Sequence, residues 1–185
     1  KGKPHGLCGS GILAVVRELV RTGLVTRRGA FAKPEDFEVG DYRRDILRYN
    51  GTKREALLYS NGETELLVTQ SDVRQVQLAK GAIRSGIEVL LSHGGLTYED
   101  IDKVLIAGQF GAHLPAESLL QIGLLPPVTE DKLAYAGNSA KSGAVAALLS
   151  DEVKEEMEDL AKHIHYIELG SSDNYERLFA KCLLF

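Results

Sequence analysis

Two stretches of the chain, VLIAGQFG at 104–111 and LAYAGNSAKSG at 133–143, carry a short apolar run into glycine and then into a helix-forming segment. Glycine at such a turn lets backbone pass close to a ligand, and the amides that open the following helix can face an anion. Two such turns would suit the edges of one nucleotide cleft, with Phe110 either stacking on a base or filling core. Neither stretch contains the glycine-lysine phosphate loop GxxxxGK followed by Ser or Thr, and GQFGAH lacks the GxGxxG spacing of a dinucleotide turn. A third glycine group, Gly9, Ser10 and Gly11, stands before ILAVVRELVRTG, where it would aim helix amides at a ligand or form a plain cap. Cys8 beside it would favour its thiolate at a helix start, but no histidine is paired with it in sequence, and a small packed residue is the simpler reading. His163 and His165 lack recognisable partners for a metal, so neither a catalytic nor a metal-ligating set is assigned.

The elements that must position these residues follow from periodicity. Ile12, Val15, Val16, Leu19 and Val20 recur at helical spacing, with Ser10 as the expected cap and Gly23 as the expected stop. Residues 24–70 are charged and broken, yet Ala56–Tyr59 and Leu66–Val68 flank Ser60-Asn61-Gly62, which predicts a hairpin within a small β-rich insertion. Ser71 is expected to open a long helix reaching about Ser92, with an apolar stripe that includes Val73, Val76, Ala79, Ile83 and Leu90. Gly81 and Gly86 inside that helix imply a close approach by another helix or by a ligand. Thr97 to Asp100 reads as a capping box, followed by a buried parallel strand at Lys103–Ala107 and a helix near Pro115–Gln121. A second strand at Leu133–Ala136, helices at 139–149 and 151–162, a strand at His165–Leu169 and a last helix capped by Ser172 or Asp173 complete the order. Strands alternating with helices predict an α/β layer with parallel pairing.

Over 185 residues, 44% apolar and 26% charged side chains give a chain able to bury one sizeable core. A net charge of -4 leaves no electrostatic footprint for nucleic acid, and the short runs Arg27-Arg28 and Arg43-Arg44 read as solvated surface. The apolar runs are only a few residues long, far short of the roughly 20 that cross a bilayer, so no membrane partner is expected. Cys8 and Cys182, at opposite ends of the chain, cannot build a disulfide framework or a four-cysteine cluster site, and a reducing cytoplasm fits them best. The opening Lys1-Gly2-Lys3-Pro4-His5-Gly6 reads as a cut within a longer chain, with a segment expected upstream.

Five segments carry a resemblance in the same order from Gly6 to Phe185. They are GLCGSGILAVVRELVRTGLV, TQSDVRQVQLAKGAIRSGIEVLL, IDKVLIAGQFGAHLPAESLLQIGLLP, AGNSAKSGAVAALLS and IHYIELGSSDNYERLFAKCLLF. Together they resemble the carboxy-terminal region of the reductive activators of corrinoid-dependent methyltransferase systems. That family implies a ribonuclease H-like, actin-like ATPase domain, of which residues 1–185 would be the carboxy-terminal part and 24–70 a small insertion subdomain. By the resemblance, Ala107, Gly108, Gln109, Phe110 and Gly111 correspond to the adenosine motif, with Gly137 and Asn138 on the neighbouring edge. Gln77 and Lys80 would sit on the helix that reaches over the nucleotide, Lys80 meeting ribose or phosphate or else standing exposed.

The implied activity belongs to a longer protein, in which ATP drives electron transfer to an inactive cobalt(II) corrinoid and returns it to cobalt(I). ATP or ADP with magnesium would be shared with an upstream lobe, the iron–sulfur cluster would lie in an upstream ferredoxin-like domain, and the partner would be the corrinoid protein. The two Asp-Gly phosphate loops of such ATPases are absent from this sequence, so the piece by itself is expected to be inactive. Two rival readings remain: a docking or homodimerisation module with little nucleotide contact, and part of a kinase of the same superfamily.

Overall fold

The computed structural model describes residues 3–108 and 114–185, so Gln109, Phe110 and Gly111 of the first glycine turn lie outside the described residues. Helix α1 (Gly9–Arg21) buries Val16 and Leu19, the one face of its repeat that meets the core. Ser10 lies inside this helix: Cys8 holds the cap position and no side chain caps it. Gly23 ends it as expected, at a φ of +78° that suits glycine.

The chain then crosses α2 (Tyr42–Ile46) into a three-stranded antiparallel sheet, β1 (Leu47–Asn50), β2 (Lys53–Ser60) and β3 (Glu65–Thr69). The anticipated hairpin is β2–β3, its turn pinned where Asn61 Oδ1 accepts from the amides of Glu63 and Thr64 at 3.0 and 2.8 Å. Strand β1 has no sequence warning, because RYN alternates too briefly to stand out; pairing with β2 makes it a strand. Leu47, Ala56 and Val68 from this sheet close over Val73 and Val76 of α3 (Gln70–His93), with Phe31 and Phe185 in the same cluster. Helix α3 is opened by Thr69 rather than Ser71. The Thr69 side chain accepts from the Asp72 amide, and Asp72 returns a bond to the Thr69 amide at 2.8 Å.

The parallel pairing expected is that of β4 (Val104–Ala107) and β5 (Leu133–Gly137), joined by α4 (Ala116–Gln121), but β4 is not the buried strand expected: Leu105 is 64% exposed, because this sheet has only two strands among the described residues. Arg17 of α1 ties α4 to the core through Glu117 at 2.7 Å. Helix α5 (Ser139–Leu149) then packs on α6 (Asp151–Lys162), where Gly143 leaves space for Met157. The expected capping box forms only by half, and in a turn leading to β4: Asp100 Oδ2 accepts from both the Thr97 amide and its hydroxyl at 2.8 Å, while the Asp100 amide donates to the Thr97 backbone carbonyl. The expected strand at His165–Leu169 does not form: these residues run without a ladder partner into a 3-10 turn at Leu169–Ser171. Alternation alone does not make a strand, which needs a partner's backbone to pair with. Helix α7 (Tyr175–Cys182) begins after Asn174, whose φ of +57° takes the cap position in place of Ser172 or Asp173. No helix among the described residues is long and apolar enough to cross a membrane.

The internal glycines of α3 serve packing. A Cβ on Gly81 would stand 2.7 Å from Leu183 Cδ2, whereas one on Gly86 would meet Leu169 at an ordinary 3.7 Å. Gly81→Val should therefore cost about 2–3 kcal/mol through overpacking. Gly86→Ala should gain up to about 1 kcal/mol from helix propensity. Urea unfolding of the two variants checks this contrast in sign.

Candidate functional site

The parallel register brings the two glycine turns side by side. Val104 to Ile106 pair with Leu133 to Tyr135, the register shifts by one, and the Gly108 amide then donates to the Gly137 carbonyl at 2.7 Å. Gly108 has φ +103° and Gly137 φ +63°, and a Cβ built on either would meet nothing within 4 Å among the described residues. Backbone conformation demands these glycines. Asn138 caps α5, its Oδ1 accepting from the Lys141 amide at 3.1 Å. Tyr135 of β5 donates its hydroxyl to the Leu114 carbonyl at 2.5 Å, tethering the chain that follows the first turn.

Leu114 forms one end of an apolar groove of about 460 Å³ between α1 and α3. Gly9, Ile12 and Leu13 make one wall, and Asp72, Gln75, Val76, Ala79 and Ile83 make the other. A second hollow of about 480 Å³ shares Gly9, Ile12 and Asp72 with it and extends past Cys8 to Leu66 and Leu67. The two lie side by side at the start of α1, and each matches the size of small-molecule sites, roughly 300–1,000 Å³. Cys8 lies exposed on this rim, its thiol held below the usual range chiefly by the Ser10 hydroxyl 3.2 Å away and by the Gly11 amide. Among the described residues, no group of three or more His, Cys, Asp or Glu side chains gathers as a metal site.

Gln77 and Lys80 lie on a different face of α3 from the groove. They are 2% and 1% exposed, which overturns the alternative of a solvent-facing Lys80. Lys80 Nζ donates to the carbonyls of Cys182 and Leu184 at 2.7 and 2.6 Å, while Gln77 Nε2 reaches those of Leu183 and Arg28 at 2.9 and 3.2 Å. Burial pushes the Lys80 amine down to about 8; Cys182 opposes that shift and Arg84 adds to it. The pair thus clasps the end of α7. The groove-facing residues Asp72, Gln75, Ala79 and Ile83 recur at helical spacing, 3, 7 and 11 positions after the first, but Ala79 and Ile83 are in the sequence absorbed into the apolar stripe and read as core.

The pattern of one protein family, the C-terminal domain of RACo, the ASKHA domain, matches residues 1–185. The corrinoid activation enzyme RamQ of Eubacterium limosum is 31% identical over 189 residues, covering 100% of this chain and 32% of that protein. The Co(II) methylated amine-specific corrinoid protein reductase of Methanosarcina barkeri is 25% identical over 114 residues, covering 60% of this chain and 21% of that protein. Among solved structures, a reductive activator for corrinoid, iron-sulfur protein superposes with a TM-score of 0.82 at 30% identity, covering 97% of this chain and 28% of that one. The chain thus spans about a third or less of the length of these relatives.

Because the folded Lys80 amine lies near 8 and its unfolded value near 10.5, the unfolded state binds more protons between those values. Lys80 therefore weighs most against folding below pH 8, and stability rises with pH from there toward 10.5, by on the order of 3 kcal/mol. Urea unfolding at pH 7 and pH 10 should show the advantage of wild type over Lys80→Met growing with pH.

Proposed function

This chain belongs to the family of the C-terminal ASKHA domain of RACo, and on that premise we propose that it supplies the adenosine-holding side of a nucleotide cleft in a reductive activator of corrinoid proteins. The carrying observation is the Gly108–Gly137 bond, which sets these two glycines together at the ends of parallel strands. Base and ribose would lie over these turns and along the groove beside Leu114, against Ala79 and Ile83 of α3. Gly9 and Gly11 at the start of α1 would border the sugar or the first phosphate.

The residues fit the apolar and sugar end of ATP better than its phosphate and magnesium end. Asp72 is the one carboxylate lining either hollow apart from Glu65 at the outer edge. The remaining phosphate and metal contacts, and the iron–sulfur cluster, would come from other parts of a longer polypeptide; exposed Cys8 and buried Cys182 do not make a cluster set. In the whole protein, ATP turnover would drive transfer of one electron from the reduced cluster to cobalt(II), giving cobalt(I). What these residues contribute is nucleotide grip and the orientation of α1, α3 and α5 around it.

A docking role has its own support. Leu148, Leu149 and Tyr166 are 86%, 81% and 82% exposed, an apolar display that marks a covered surface. The corrinoid protein or a second copy of the chain would suit it.

Calorimetric titration of magnesium-ATP into the full polypeptide tests the nucleotide reading. Gly108→Val, which forces a β-branched residue to a positive φ, and Ala79→Glu, which fills the groove, should each weaken binding at least tenfold. Unchanged ATP affinity in both variants, with corrinoid-protein binding lost in Gly108→Val, would replace it with the docking reading.

A further inference from the structure

On the face of α3 turned toward α7, a separate cavity of about 370 Å³ is lined by Arg27, Lys80, Arg84 and Lys181, with Glu88 as its carboxylate. The imbalance is local and runs against the molecule, whose net charge is -4. Glu88 is already committed, accepting from Arg84 Nε at 2.6 Å and from the Tyr98 hydroxyl. Lys80 rests on two neutral carbonyls at the end of α7, which engage two of the three donors of an ammonium. Arg27 spends its Nε on the Phe185 carbonyl at 3.0 Å, and among the described residues its two terminal nitrogens and the Lys181 amine have no hydrogen-bond or ion-pair partner.

A buried ammonium with no anion beside it is costly, even with helix-end carbonyls to offset part of the cost. The cavity leaves that charge within reach. At Gly123, which lines it, a side chain would start 3.5 Å from Lys80 Nζ, and glycine leaves that approach clear. Tyr98 and Phe185 supply ring surface, with Arg84 stacked 5.1 Å from the Tyr98 centroid and Lys80 5.7 Å from that of Phe185.

We propose that this cavity is a second binding site, for a small molecule bearing a phosphate or carboxylate group, in which Arg27 offers its paired terminal nitrogens, Lys80 its remaining donor and Lys181 a closing charge. Its volume, near the lower end for ligand sites, suits one anionic group with a compact body. The fork of Arg27 suits a planar or tetrahedral oxyanion taken by two parallel bonds. Because the site lies on a different face of α3 from the groove, occupation of one does not require the other.

Inorganic phosphate and, in a parallel arm, citrate are titrated by calorimetry into the full polypeptide at pH 7 and low ionic strength. One saturable site for at least one of them is expected, and the arm that binds identifies the preferred oxyanion. Lys181→Gln, on an exposed position that leaves the core untouched, should weaken it at least threefold, and Arg27→Gln with Lys181→Gln at least tenfold, while the far-ultraviolet circular dichroism stays unchanged. Gly108→Val should leave this affinity intact even where it abolishes ATP binding, which separates the two sites. Absence of saturable binding in both arms, or binding that survives the double substitution, overturns the proposal.

Discussion

The clasp between Lys80 and the end of α7 is the contact on which the arrangement of this chain turns. It joins residues about a hundred positions apart, with Lys80 Nζ 2.7 and 2.6 Å from the carbonyls of Cys182 and Leu184. Helix ends leave carbonyls without partners, and a cation placed there answers both the missing hydrogen bonds and the negative end of the dipole. Gln77 completes the clasp through Leu183, and Gly81 lets Leu183 come within a distance no larger residue would allow. Phe185, carried in by the same segment, closes the core beside Phe31 and Val76. Without α7 in place, α3 would turn an ammonium-bearing face to solvent where the end of α7 now covers it.

Helix α3 consequently works as a partition with three faces. Val73 and Val76 hold the sheet, Gln77, Lys80 and Gly81 hold α7, and Asp72, Gln75, Ala79 and Ile83 look across the groove to the start of α1. A rigid helix fixed on two sides is a suitable wall for a ligand, because its groove-facing residues keep their positions when the site fills. The glycine turns of β4 and β5 stand on the other part of the molecule, tied to the groove through Tyr135 and Leu114. Under the proposed function, that pairing is one side of a cleft whose other side would come from elsewhere in a longer protein.

The limits of sequence reading show at particular residues. The β2–β3 hairpin was legible because Asn-Gly turn chemistry is local, and β1 was not, because a short strand exists only by virtue of its partner. His165–Leu169 reads as a strand but pairs with none among the described residues. Asp100 takes the Thr97 amide and hydroxyl yet opens no helix, since the same carboxylate contact also closes a turn. Lys80 is the sharpest case: a lysine on a helix is usually solvated, and only a segment arriving from the far end of the chain buries it.

What the sequence by itself determined, then, was whatever local chemistry and ordered resemblance can carry: the α/β class, the long helix, the parallel strand ends with their glycines, and the family. Tertiary structure alone decided which face of α3 meets which neighbour, that Gly108 and Gly137 hydrogen-bond to each other, and that Ala79 and Ile83 line a groove while Gln77 and Lys80 hold α7. The physical reason is range. Periodicity and capping act over a few residues, whereas burial of a particular side chain depends on chain segments whose separation in sequence says nothing about their distance in space.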